Sequence, residues 1–189
     1  MQYTDEQLIN RVKSLDARIV PDKYLIVGVQ SLADNFNEFD DKFYLFLGGQ
    51  FILVTTGTTN AGKNALLGFD KAGLPGTAVW KTNEFYSDLF SYGLHKGKMP
   101  CLRQVAPIKF YRDSDKDEKA EEQGKLHEGI IHANFHGVSY DMDSKMVKGS
   151  INGWSYACQV CNNMPDYRVI IDQIRKHPLK ADYALLKEF

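Results

Sequence analysis

The chain has 189 residues, 43% hydrophobic and 12% aromatic, enough to bury a sizeable core within the size range of one domain. Its 23 basic and 24 acidic residues are interspersed and leave a formal charge of -1, which excludes a partner selected by bulk charge: no basic face marks nucleic acid and no polybasic segment marks an anionic membrane. Three cysteines, an odd number, point to free thiols and not to a disulfide framework.

The chain opens with MQYTDEQLINRVKSL, which carries early acids and lacks the apolar core of a signal peptide, and no later run is long enough to span a membrane. A protein made in the cytoplasm of the producing cell is expected, with no membrane insertion and with virion association or release to the cell wall as its routes outward. Thr4 and Gln7 form a capping box ahead of Leu8, Ile9, Val12 and Leu15, whose 3-4 spacing predicts an amphipathic helix over 4–16. From Tyr24 the texture turns β-branched and aromatic, first in YLIVGV and then in KFYLFLGGQFILVTTG, where Gly48-Gly49 reads as the tight turn of a hairpin.

The next segment, GTTNAGKN over 57–64, has the glycine-to-Gly-Lys spacing of a phosphate-cradling loop. It has Asn64 where that loop needs a Ser or Thr hydroxyl, so a polar loop between strands is the reading. Strand-like runs follow at TAVWK, APIKFYR and EGIIHANF. The intervening RDSDKDEKAEEQGK alternates Asp113, Asp115 and Asp117 as a calcium loop does, yet it has Glu118 and Gly124 at the two positions that decide such a loop. It reads as a solvated acidic turn. A helix is predicted over 165–177, with Val169, Ile170 and Ile174 on its apolar side and Pro178 beyond its end. These elements predict a mainly β, α+β fold in a single domain with peripheral helices.

The chemistry concentrates in SINGWSYACQVCNN, Ser150 to Asn163. His132, His136, Cys158 and Cys161 are all acceptable to zinc, but on one strand the two histidines would stand about 13 Å apart, so no metal is expected. Cys158 and Cys161 lack the helix start and βαβ setting of a redox pair, and His132-Ala133-Asn134 lacks the glutamate of a deaminase. A Cys-His nucleophilic pair remains, because an ordinary thiol is only a few per cent thiolate at neutral pH and needs an imidazole to deprotonate it.

GIIHA followed at a distance by WSYAC resembles the signature of the L,D-transpeptidase catalytic domain family. A divergent, largely phage-encoded branch is more similar still, through Gly76 to Val79 (GTAV), Gly93 to Lys98 (GLHKGK), Tyr111 to Asp113 (YRD), Ile131-His132 and Trp154 to Val160. The resemblance spans about residues 21 to 175. It implies a β-sandwich with flanking short helices and a cysteine enzyme that acts on bacterial peptidoglycan stem peptides through an acyl-enzyme, by hydrolysis or transpeptidation and without a cofactor. It implies Cys158 as nucleophile and His132 as base, with His136 in reserve because Gly137 follows it. Ser155 would orient the imidazole or line the site, and Trp154, Tyr156, Ala157 and Gln159 would lie against substrate. His95 and His127 are read as structural. Ala157 stands where the family has glycine, Tyr156 where it often has histidine, and the arginine usual two residues after the cysteine is absent. A substrate lacking a free carboxylate should therefore be tolerated. The alternative is a non-catalytic cell-wall-binding or virion structural module that keeps the fold.

Overall fold

The computed structural model describes residues 2–189. In chain order its strands are β1 (Tyr24–Gln30), β2 (Asp41–Leu47), β3 (Gln50–Thr58), β4 (Thr77–Trp80), β5 (Glu84–His95), β6 (Met99–Gln104), β7 (Ile108–Asp113), β8 (His127–Gly129), β9 (Phe135–His136), β10 (Gln159–Cys161) and β11 (Ala181–Lys187). Helices α1 (Asp5–Lys13), α2 (Lys63–Leu66) and α3 (Met164–Ile174) and a 3-10 turn at Phe69–Ala72 complete it. No helix among the described residues is long and apolar enough to cross a membrane.

The mainly β class with short helices holds, and the sheet closes on itself where the resemblance implies a sandwich. Eight of the strands close into a barrel in the order β1-β11-β5-β6-β9-β10-β3-β2. The closure is mixed: β1 runs parallel to β11 and β9 parallel to β10, whereas β1, β2 and β3 form an antiparallel meander. The remaining strands, β4, β7 and β8, form a separate sheet that contributes Ala78, Trp80, Ile108 and Phe110 to the barrel core. Alternation in a sequence reports which residues of a strand are buried; it does not report which distant edge that strand will pair with.

Local chemistry explains the elements themselves. β1 is apolar without interruption because both its faces are covered: Tyr24 and Ile26 face the main core, while Leu25, Val27 and Val29 lie under Leu8 and Val12 of α1. α1 begins at the expected capping box, with Thr4 accepting from Gln7 N–H and the Gln7 side chain accepting from Thr4 N–H. The β2–β3 hairpin turns on Gly48 and Gly49, whose φ values of 56° and 84° suit glycine. α3 starts at the Asn163 cap with Pro165 in its first turn. Its buried stripe is Met164, Tyr167, Ile170, Ile171 and Ile174, and Val169 of the expected stripe is exposed.

One predicted strand is split. EGIIHANF does not run continuously: β8 ends at Gly129 in the small sheet, and β9 begins at Phe135 in the barrel. The crossing between sheets passes through His132, at φ 60°, and is tied down by buried Gln104, whose Oε1 accepts from the N–H groups of Ile131 and Ala133.

Candidate active site

Cys158 ends a loop that is clamped from several sides. Gly62 N–H donates to the Ser155 carbonyl and Asn64 N–H to the Asn152 carbonyl, so the 57–64 segment serves as a backing for the cysteine loop. The Trp80 indole N–H donates to the Ala157 carbonyl at 2.8 Å, and Ser155 Oγ donates to the Cys158 carbonyl at 2.8 Å. In a trans peptide the N–H points opposite to the preceding C=O. Holding the Ala157 carbonyl against Trp80 therefore aims the Cys158 N–H away from the indole. Among the described residues, the backbone N–H groups of Tyr156, Ala157 and Cys158 donate to no protein acceptor.

Beside this loop stand His136, at the end of β9, and His95, at the end of β5. One ring nitrogen of each and the Cys158 sulfur all lie within 4.8 Å of one another, and the two imidazoles pack with centroids 4.3 Å apart. His136 is 1% exposed; its Nδ1 is 2.8 Å from the Gly137 carbonyl, which can only accept, so the proton sits on Nδ1. Its Nε2 is consequently a buried lone pair with no hydrogen-bond partner among the described protein groups. Gly137 permits this seat, because a Cβ there would stand 2.7 Å from both Met164 Sδ and Tyr167 Cδ1 of α3.

The tautomer of His95 is fixed as well. Gln104 N–H donates to Asn134 Oδ1, which leaves Asn134 Nδ2 to donate to His95 Nδ1 at 3.2 Å. His95 thus carries its proton on Nε2.

Burial dominates the electrostatics. It pushes His136 down to about 3, helped by the neighbouring His95, and pushes the Cys158 thiol up to about 11, against a hydrogen bond from the Asn134 backbone and the charge of Lys96. His95 is lowered by burial and then by Lys96. The resting pair is a neutral imidazole and a neutral thiol, and Cys158 is 9% exposed.

The residues singled out from the sequence separate into three groups. Cys158 and His136 come together. His132 lies on an exposed loop outside this cluster, because the strand expected to carry it is broken there. Trp154 lines the cleft over His136, whereas Tyr156 packs towards Ala61, Ala65 and Leu66 on another side of the loop. Ser155 bonds to the Cys158 carbonyl, and Gly137 takes the imidazole-orienting role. Ala157 contributes its carbonyl to Trp80. Gln159 is fully buried, with Nε2 on the Thr59 carbonyl and Oε1 accepting from Tyr183, which leaves it no surface for a substrate. Cys161 is interior, bonded to Thr55 and the Asn163 carbonyl, so the four zinc-type residues named from the sequence do not converge.

His95 and Trp80 are additions. His95 carries a signal in the GLHKGK stretch, but nothing in the spacing connects it to a cysteine 63 residues later.

The cleft has a volume of ≈ 340 Å³ and is lined by His95, His136, Lys96, Lys148, Tyr140, Trp154, Asn152 and Gly153. The alternative cluster of donors, His95, His136 and Cys158, suits a borderline metal such as zinc by type. A tetrahedral zinc would set those donors about 3.5 Å apart, and would need the His95 proton moved off Nε2 or the Asn134 contact broken. Asp113, Asp115 and Glu121 form a second carboxylate group within 4.8 Å, on the charged loop.

Compared with protein-family models, with curated proteins and with solved structures, the chain matches none.

Proposed function

We propose that the protein is a cysteine enzyme that cleaves or re-forms an amide through a thioester on Cys158, with His136 as its base. The observation that carries this is the orphaned Nε2 of His136, a buried lone pair on a ring that stands beside the Cys158 thiol and lines an open cleft. A buried polar atom without a partner costs about 1–3 kcal/mol, and such atoms concentrate where a group must remain available for reaction.

The steps follow from the two protonation states. As Sγ attacks the carbonyl carbon, its proton passes to His136 Nε2, and the oxyanion is received by the free N–H of Cys158, whose peptide the Trp80 contact holds. His136 then returns that proton to the departing amine as the C–N bond breaks, leaving a thioester. Water or a second amine resolves the thioester, with Nε2 again holding the proton before it goes back to sulfur. Because burial disfavours both lone charges, the proton moves with the attack and not before it, and the transient thiolate-imidazolium contact tightens in the substrate complex.

The substrate class comes from the sequence resemblance: a stem-peptide amide of bacterial peptidoglycan, on an L,D-transpeptidase-like scaffold of phage type. The barrel-type closure described above is compatible with that chemistry and does not by itself identify it. Incubation with a carbapenem should add one acyl mass to the intact protein, and this adduct should be missing from Cys158→Ala. Digestion of purified sacculi should give new free amino and carboxyl ends if water resolves the thioester, or new cross-links if an amine does. Identical products from wild type and Cys158→Ala would leave the non-catalytic cell-wall module standing.

A second reading is favoured by one observation, the convergence of His95, His136 and Cys158. It makes the cluster a three-ligand metal site. About one zinc per purified chain, lost in Cys158→Ser and in His95→Ala, would establish that reading in place of the nucleophile.

A further inference from the structure

We propose, on the reading of Cys158 and His136 as the catalytic pair, that the adjoining cleft is a subsite for a substrate carboxylate, held by Lys96, Lys148 and the Nε2–H of His95. The sequence lacks an arginine after Cys158, which suggests indifference to a free carboxylate; the tertiary structure supplies positive charge from two other segments. Lys96 sits in the tight turn joining β5 to β6, next to His95. Lys148 comes from the loop before Cys158, where its backbone is pinned in both directions: its N–H donates to the Asn162 carbonyl, and its carbonyl accepts from Asn162 Nδ2. Its ammonium lies 5.8 Å from the centroid of the Trp154 ring, which directs it along the cleft wall.

The charge balance of the cleft is what distinguishes it. No aspartate or glutamate lines it, although the chain has more acids than bases. Among the described residues, Lys96 and Lys148 make no ion pair, as is true of several other surface lysines; what sets them apart is that they line one concavity together. Two ammonium groups and an imidazole N–H lining one concavity provide donors with no carboxylate to compete for them. That is the complement of a carboxylate, whose two oxygens only accept. The position beside His136 puts the bound carboxylate near the acyl group under attack, so the subsite selects peptides with a free acid close to the scissile amide.

The test uses the Cys158→Ala protein, which binds without turnover, and two probes, N-acetyl-L-lysyl-D-alanine and its C-terminal amide, in isothermal titration at low salt. The acid should bind about tenfold more tightly than the amide, the combined effect of two partly exposed ion pairs. Lys96→Met together with Lys148→Met should abolish the preference, and Lys96→Arg with Lys148→Arg should keep it; melting curves of each variant check that it is folded. Equal affinity of the parent for acid and amide, or no measurable binding of either, would overturn the proposal, as would inorganic phosphate competing more strongly than the peptide acid. Carbapenem acylation of the wild type is read separately. Loss of acylation with the acid preference intact would sink the catalytic pair and spare the subsite, and the converse would sink only the subsite.

Discussion

Replacing His136 by glutamine should change how stability depends on pH, in a direction set by its burial. An unfolded chain protonates this histidine near 6.5, whereas the folded chain holds it down to about 3. Between those values the unfolded state binds the extra proton. The contribution of His136 is therefore complete above about pH 6.5 and is lost as pH falls towards 3. The loss approaches ~1.4 kcal/mol per pH unit, or roughly 2.5 kcal/mol between pH 6 and pH 4.

Asp41 masks this in the raw curve. Burial pushes its carboxyl up to about 7, against hydrogen bonds from Ser31 and Thr59. The folded state thus keeps a proton that the unfolded state releases above 3.8, and that contribution fades as pH rises. The two effects oppose each other between about pH 4 and pH 6.5, so the informative quantity is the difference between wild type and His136→Gln, in which Asp41 cancels. Urea unfolding followed by tryptophan fluorescence at stepped pH gives it. The excess stability of wild type over the variant should shrink by roughly 2–3 kcal/mol on going from pH 6 to pH 4. Parallel profiles would show that His136 is hydrated or charged in the folded protein, and the orphaned base would go with them.

Iodoacetamide should label Cys158 before Cys101 or Cys161, since only Cys158 has any exposure, and its rate should climb close to tenfold per pH unit towards about 11 as the thiolate forms; peptide mapping with Cys161 or Cys101 labelled first would reject the assignment. His136→Ala should slow carbapenem acylation by about 10²- to 10⁴-fold, the usual worth of a positioned base, while His132→Ala changes it little. The reverse outcome would restore His132 as the base. Trp80→Phe removes the indole donor to the Ala157 carbonyl and should lower kcat by roughly tenfold with KM little changed, because it mis-aims an oxyanion donor and leaves the cleft alone. A raised KM at constant kcat would place Trp80 in substrate binding.

What the sequence determined by itself was local. The capping box at Thr4, the φ-positive glycines at 48 and 49, the doubly buried run at β1 and the helix after Asn163 are each decided by residues within a few positions of one another, and propensity and periodicity report such things directly. Tertiary structure decided the rest. Barrel closure depends on pairing Leu25 with Asp182 and Gln159 with Phe135, contacts whose partners no local pattern can name. The histidine brought to the cysteine differs from the one expected for the same reason: EGIIHANF looks like one strand, but its two ends belong to different sheets, so the chain turns at His132 and places His136 beside Cys158. His95 and Lys96 reach the cleft from the β5–β6 hairpin, and Lys148 from a loop some fifty residues later. Their meeting is a product of packing, because a side chain's chemical surroundings are set by what the fold brings beside it, and its sequence neighbours fix only the backbone that carries it.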